Sequence, residues 1–83
     1  MSYSLIIPKS VAKQIKSLPS EFQPHIIEHL KSLQTNPRPL GCKKLRNTEG
    51  WRVRVGTYRV IFEIDDSRKK ILLISVVHRK DAY

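Results

Sequence analysis

The chain has 83 residues, a net charge of +9 and one cysteine. That length sets one small domain, close to the lower limit of what a single core stabilises unaided. A lone cysteine excludes an internal disulfide and a cysteine-based zinc site, which fits a reducing compartment. The charge is uneven: residues 1–42 hold five Lys/Arg against two Asp/Glu, and residues 43–83 hold eleven against five. The basic excess lies on the second half and implies a polyanionic partner, nucleic acid or an acidic protein. A membrane surface would call for a basic amphipathic helix. No apolar run reaches the ~18 residues of a membrane span, and the start, MSYSLIIPKSV, lacks the charged n-region of a signal peptide. A cytoplasmic protein with no membrane association is expected.

Ser2 to Ile7 reads as a short opening strand ended by Pro8. Val11, Ile15 and Leu18 then fall on one helical stripe, with Lys9, Lys13 and Lys16 opposite, and Pro19 stops that helix. Ser20 followed by Gln23 has the spacing of a capping box. Phe22, Ile26, Ile27, Leu30 and Leu33 form the apolar stripe of a second helix, which ends by Asn36-Pro37. Residues 37–50, PRPLGCKKLRNTEG, read as an irregular connection.

The stretch from Trp51 to Ile64, WRVRVGTYRVIFEI, is a hairpin. Apolar and charged residues alternate up to Val55, and Gly56-Thr57 suits a two-residue type II′ turn. A loop of that length sets the register: Val55 opposite Tyr58, Arg54 opposite Arg59, Val53 opposite Val60, Trp51 opposite Phe62. One face is then apolar, and the other carries Arg52, Arg54 and Arg59. Like charges directly opposed weaken a sheet. A bound polyanion would offset that cost; arginines splayed into water would also lower it.

Asp65 to Arg68 reads as a turn, and Ile71 to Val77 as a central strand apolar on both faces. Pairing Asp65 with Ile71 puts Arg79 on the face of Arg54 and Arg59; a shift by one puts His78 there instead. The expected fold is α+β, in the order β-α-α-β-β-β, with two antiparallel helices packed on a small, mainly antiparallel twisted sheet.

Arg52, Arg54, Arg59, His78, Arg79 and Tyr83, with Lys43, Lys44 and Arg46 at the approach, suit cleavage of RNA without a metal or cofactor. In that reaction a 2′-hydroxyl attacks the adjacent phosphate. It needs a base, cations for the phosphorane and an acid for the leaving oxygen. Arginine supplies bidentate phosphate contacts. Two residues compete for the base. A free phenol of pKa about 10 is poor in that role unless cations favour phenolate, and imidazole is nearer the required range. His25 and His29 have i, i+4 ligand spacing but no third ligand in view, so no metal is expected. Trp51 belongs to the apolar face and reads as core.

The pieces Lys44-Leu45-Arg46, Trp51-Arg52-Val53-Arg54-Val55-Gly56-Thr57-Tyr58-Arg59 and His78-Arg79-Lys80-Asp81-Ala82-Tyr83 resemble, in that order, the RelE/ParE toxin superfamily of type II toxin–antitoxin modules. The resemblance spans essentially all of residues 1–83 as one toxin domain. It implies an mRNA endoribonuclease acting in the ribosomal A site, a cognate antitoxin that neutralises it, and operator DNA binding only through the antitoxin complex. By position, Arg52, Arg54, Arg59 and Arg79 match the family's basic cluster, and Tyr83 its closing tyrosine, held to be the base. Arginine stands at 52 and 54 where ribonuclease members often have lysine. The ParE branch, which inhibits DNA gyrase without cutting anything, shares much of the hairpin pattern and is the alternative.

Overall fold

The computed structural model describes residues 2–46 and 50–78. Seven elements follow in order: β1 (Ser4–Ile6), α1 (Lys9–Lys16), α2 (Gln23–Leu33), β2 (Lys43–Lys44), β3 (Gly50–Val55), β4 (Tyr58–Asp65) and β5 (Lys70–His78). They build a five-stranded sheet in the order β1-β5-β4-β3-β2. β1 runs parallel to β5, and every other neighbouring pair is antiparallel. Two helices on a mainly antiparallel sheet is the architecture expected from the sequence, with one addition. The two-residue strand β2 forms inside the connection that reads as irregular, pairing Lys43 with Arg52 and Lys44 with Trp51. β4, not β5, is the middle strand.

The helices are amphipathic for the reason their spacing indicates. Val11 and Ile15 of α1, and Ile26, Leu30 and Leu33 of α2, are buried, while Lys9, Lys13 and Lys16 are exposed. These side chains meet Val53, Tyr58, Val60, Phe62, Ile71, Leu73 and Val76 on one face of the sheet, which forms the core. Phe62 and Val60 of the middle strand are fully enclosed. Ile27 departs from the expected stripe and is 42% exposed.

The expected capping box is not formed. α2 begins at Gln23 with Phe22 at its N-cap and no side-chain cap. The Gln23 amide instead donates to the carbonyls of Leu18 (2.8 Å) and Lys16 (3.2 Å). Those are orphan carbonyls at the end of α1, so the side chain serves the preceding helix. Pro24 sits in the first turn of α2, where its missing N–H costs nothing.

The β3–β4 hairpin has the register set by its two-residue turn, from Val55 opposite Tyr58 to Gly50 opposite Glu63. Gly56 holds φ +63, a left-handed conformation that an L side chain resists. Between β4 and β5 the pairing starts with Asp65 opposite Lys70. It then slips by one residue between Ile61 and Phe62, so that Arg59 faces Val77 and Tyr58 faces His78. The slip leaves Ile74 as an extra residue on β5, 43% exposed. The Gln14 side-chain oxygen accepts the Val76 N–H at 2.9 Å, tying α1 to β5 two residues beyond the bulge.

Candidate functional site

The sheet face away from the helices carries two rows of cations. Lys43 of β2 lies opposite Arg52 of β3. Arg54 of β3 lies opposite Arg59 of β4, and Val77 of β5 completes that row. Residues two apart on a strand share a face, so Lys43, Arg52, Arg54 and Arg59 form one patch. Arg54 and Lys43 are exposed, Arg52 is half-buried, and Arg59 is 3% exposed. Lys43 stands on the edge strand, Arg52 and Arg54 on the next, and Arg59 on the middle strand. Among the described residues, no carboxylate forms an ion pair with Lys43, Arg52 or Arg54. These three cations are therefore available to an anionic ligand.

The other candidates divide. Lys44 alternates to the helix side, where its ammonium lies 5.6 Å from the centre of the Trp51 ring. Arg46 sits beyond β2 in the turn closed by the Leu45 N–H on the Gly50 carbonyl. That turn is at the opposite end of β3 from Arg54, four residues or roughly 13 Å along the strand. His78 faces Tyr58 on the helix side, with the ring centroids 5.4 Å apart and nearly perpendicular. The bulge on β5 decides this. The pairing at Asp65 is the one that would send His78 to the arginine face, and the extra residue reverses it. Arg79 and Tyr83 lie outside the described residues. So do the other residues after His78.

Two features escaped the sequence reading. Arg38 is a structural clamp: its guanidinium donates to both Asp66 oxygens (3.2 and 2.8 Å) and lies 5.0 Å from the centre of the Trp51 ring. Tyr3 donates to the same carboxylate at 2.7 Å. These hydrogen bonds hold the Asp66 carboxyl at about 2, below the ordinary 3.8. The hint in the sequence is an arginine held between two prolines. The second feature is a cleft of about 310 Å³ beside the patch, lined by Leu40, Gly41, Lys43, Arg52, Val53 and Arg54. Among the described residues, no three His, Cys, Asp or Glu side chains group as metal ligands.

The family model describing the ParE toxin of type II toxin–antitoxin systems (parDE) matches residues 5–83. The toxin RelE of Mycobacterium tuberculosis is 33% identical over 98% of this chain and 86% of its own length. The chain belongs to the RelE/ParE superfamily of toxins. The fold agrees with solved RelE structures. The archaeal RelE–RelB complex from Pyrococcus horikoshii superposes with a TM-score of 0.85 at 30% identity, covering 95% of this chain and 97% of that one. The RelBE2 toxin–antitoxin complex from Mycobacterium tuberculosis gives 0.84 at 24% identity, over 95% and 100%. In this RelE/ParE member the hairpin arginines are the best-defined part of the site, because a two-residue turn holds them in register. No described helix is long and apolar enough to cross a membrane.

Proposed function

We propose that this protein is the toxin of a type II toxin–antitoxin pair that cleaves mRNA in the ribosomal A site. The observation that carries the reading is the patch of Lys43, Arg52, Arg54 and Arg59 on the sheet face away from the helices, three of whose members have no carboxylate partner among the described residues. The reaction is attack of a 2′-hydroxyl on its own 3′-phosphate. A P–O bond forms to the 2′ oxygen, the bond to the 5′ oxygen of the next nucleotide breaks, and a 2′,3′-cyclic phosphate and a 5′-hydroxyl result. The arginines bind the phosphate and stabilise the extra charge of the phosphorane. Arg59, held in place on the middle strand, loses little freedom on binding, which favours the transition state. By the family resemblance Arg79 joins the cluster, and Tyr83 takes the 2′ proton; the leaving 5′ oxygen takes a proton from water. This reading gives His78 no step, since its ring faces Tyr58 on the helix side of the sheet.

An antitoxin partner is supported from the helix side. Leu5, Ile7, Ala12, Ile15, Ile27 and Leu30 line an apolar groove of about 390 Å³, with Lys16 and Lys31 at its rim. An amphipathic segment bearing acidic residues fits such a groove. Operator DNA is then bound by the complex, through the antitoxin. One observation favours a second reading, inhibition of DNA gyrase: the family model that matches is described for ParE.

The test is translation in vitro with purified protein and primer extension on the message. Cuts with wild type that vanish in Arg54→Ala and Arg59→Ala support the ribonuclease. Intact message together with inhibited supercoiling by gyrase supports the ParE reading.

A further inference from the structure

We infer that the cleft between Leu40 and Arg54 is a nucleotide subsite in which Leu40 packs against a base while Lys43, Arg52 and Arg54 hold the adjoining phosphate. The inference rests on the ribonuclease reading and specifies how that site grips its substrate.

Leu40 is completely exposed, at 104% of its reference area. A single exposed leucine is ordinary; the setting of this one is not. It occupies a turn closed by the Cys42 N–H on the Pro39 carbonyl at 3.0 Å, with Gly41 at φ +92. Leu40 and Gly41 are the two central residues, and a positive φ at the second of them is what a type II turn requires. Both flanks are anchored. Arg38 is clamped on Asp66 and against Trp51, Cys42 packs against the core, and Lys43 pairs with Arg52 in the sheet. The leucine is thus presented by a braced turn and has no packing role within the fold. A side chain held this way makes an apolar contact at little entropic cost.

The chemistry of the cleft selects the ligand. One side is aliphatic and the other cationic, with no carboxylate pairing any of its three cations among the described residues. Its 310 Å³ lies at the small end of the ~300–1,000 Å³ typical of ligand sites, a scale that suits one nucleotide. A nucleotide joins a negative phosphate to a flat base with an apolar face. An antitoxin segment is a poorer fit, because a larger and more apolar groove lies between the helices. Arg54, which lines the cleft, is the cross-strand neighbour of Arg59, so the base held there belongs to a nucleotide next to the scissile phosphate.

The experiment compares a short single-stranded RNA with an abasic ribose-phosphate chain of equal length, by fluorescence anisotropy, on wild type, Leu40→Ala and Arg54→Ala. Since Leu40 contacts nothing in the fold, Leu40→Ala should keep the wild-type melting temperature. It should lose about threefold to tenfold in affinity for the base-bearing strand, the scale of one or two buried methyl groups, and nothing for the abasic chain. Arg54→Ala should weaken both. In the ribosomal assay Leu40→Ala should redistribute cuts among codons. Unchanged RNA affinity and an unchanged cut pattern in Leu40→Ala, with wild type cutting normally, would overturn the subsite and leave the ribonuclease standing. Weaker binding of an acidic antitoxin peptide, with RNA unaffected, would also overturn it. Wild type that neither binds nor cuts RNA removes both proposals together.

Discussion

Arg54 and Arg59 face each other across the hairpin, and the arrangement has a measurable cost. Directly opposed residues have Cβ atoms roughly 5 Å apart, and a cross-strand charge pair is worth about 0.2–1 kcal/mol in either direction. Arg59 is almost fully enclosed, so its field is screened less than that of a surface charge. Replacing Arg54 by glutamate removes a repulsion of about 0.5 kcal/mol and adds an attraction of similar size, a change of about 1 kcal/mol. For a domain of this size that raises Tm by about 4–8 °C. The assay is thermal unfolding of wild type and Arg54→Glu at about 0.01 M and about 1 M salt, between which the Debye length falls from ~30 to ~3 Å. The gain should be largest at low salt. Lys13→Glu makes the same change in net charge on an exposed helix face, away from the arginines, and should give less. Arg54→Glu should also lose RNA binding. A lower Tm, a gain independent of salt, or an equal gain from Lys13→Glu would refute the claim that the sheet holds these arginines at the expense of stability.

The Asp66 carboxyl is held at about 2 in the folded protein against an ordinary 3.8, so its stabilising contribution is complete above pH 3.8 and is lost as pH falls through about 2. The Tm difference between wild type and Asp66→Asn should follow that curve and close at the acid end. Gln14→Leu leaves the buried Val76 N–H without its acceptor and should cost about 1–3 kcal/mol in chemical denaturation. His78→Ala removes the edge contact on Tyr58, a loss of about 0.5–1.5 kcal/mol, and should leave cleavage by the surviving folded protein at the wild-type rate.

The hairpin was legible in the sequence because its determinants are local. A glycine in a two-residue turn and strict alternation dictate which arginines oppose each other. The helices were legible from the spacing of Val11, Ile15, Ile26, Leu30 and Leu33. β2 was hidden because two residues carry no period, and its neighbours Pro39 and Gly41 argue for a loop. Gln23 was misassigned because the same amide serves a helix start or the end of the preceding helix, and only the turn between the helices decides which. The side taken by His78 depends on one extra residue at Ile74, within a run apolar on both faces, where alternation holds no information. Of the site, Arg52, Arg54 and Arg59 were legible and the Lys43–Arg52 pairing was not, since it rests on β2. Arg79 and Tyr83 keep the roles that the family resemblance implies, as proposals.

The ends of the cut message test the central claim most directly. Fragments are isolated from a translation reaction with and without ribosomes, and their termini are identified by mass spectrometry. The account predicts cuts that require ribosomes, each leaving a 2′,3′-cyclic phosphate and a 5′-hydroxyl, and absent with Arg59→Ala. Intact message, or fragments carrying 5′-phosphates, would contradict it.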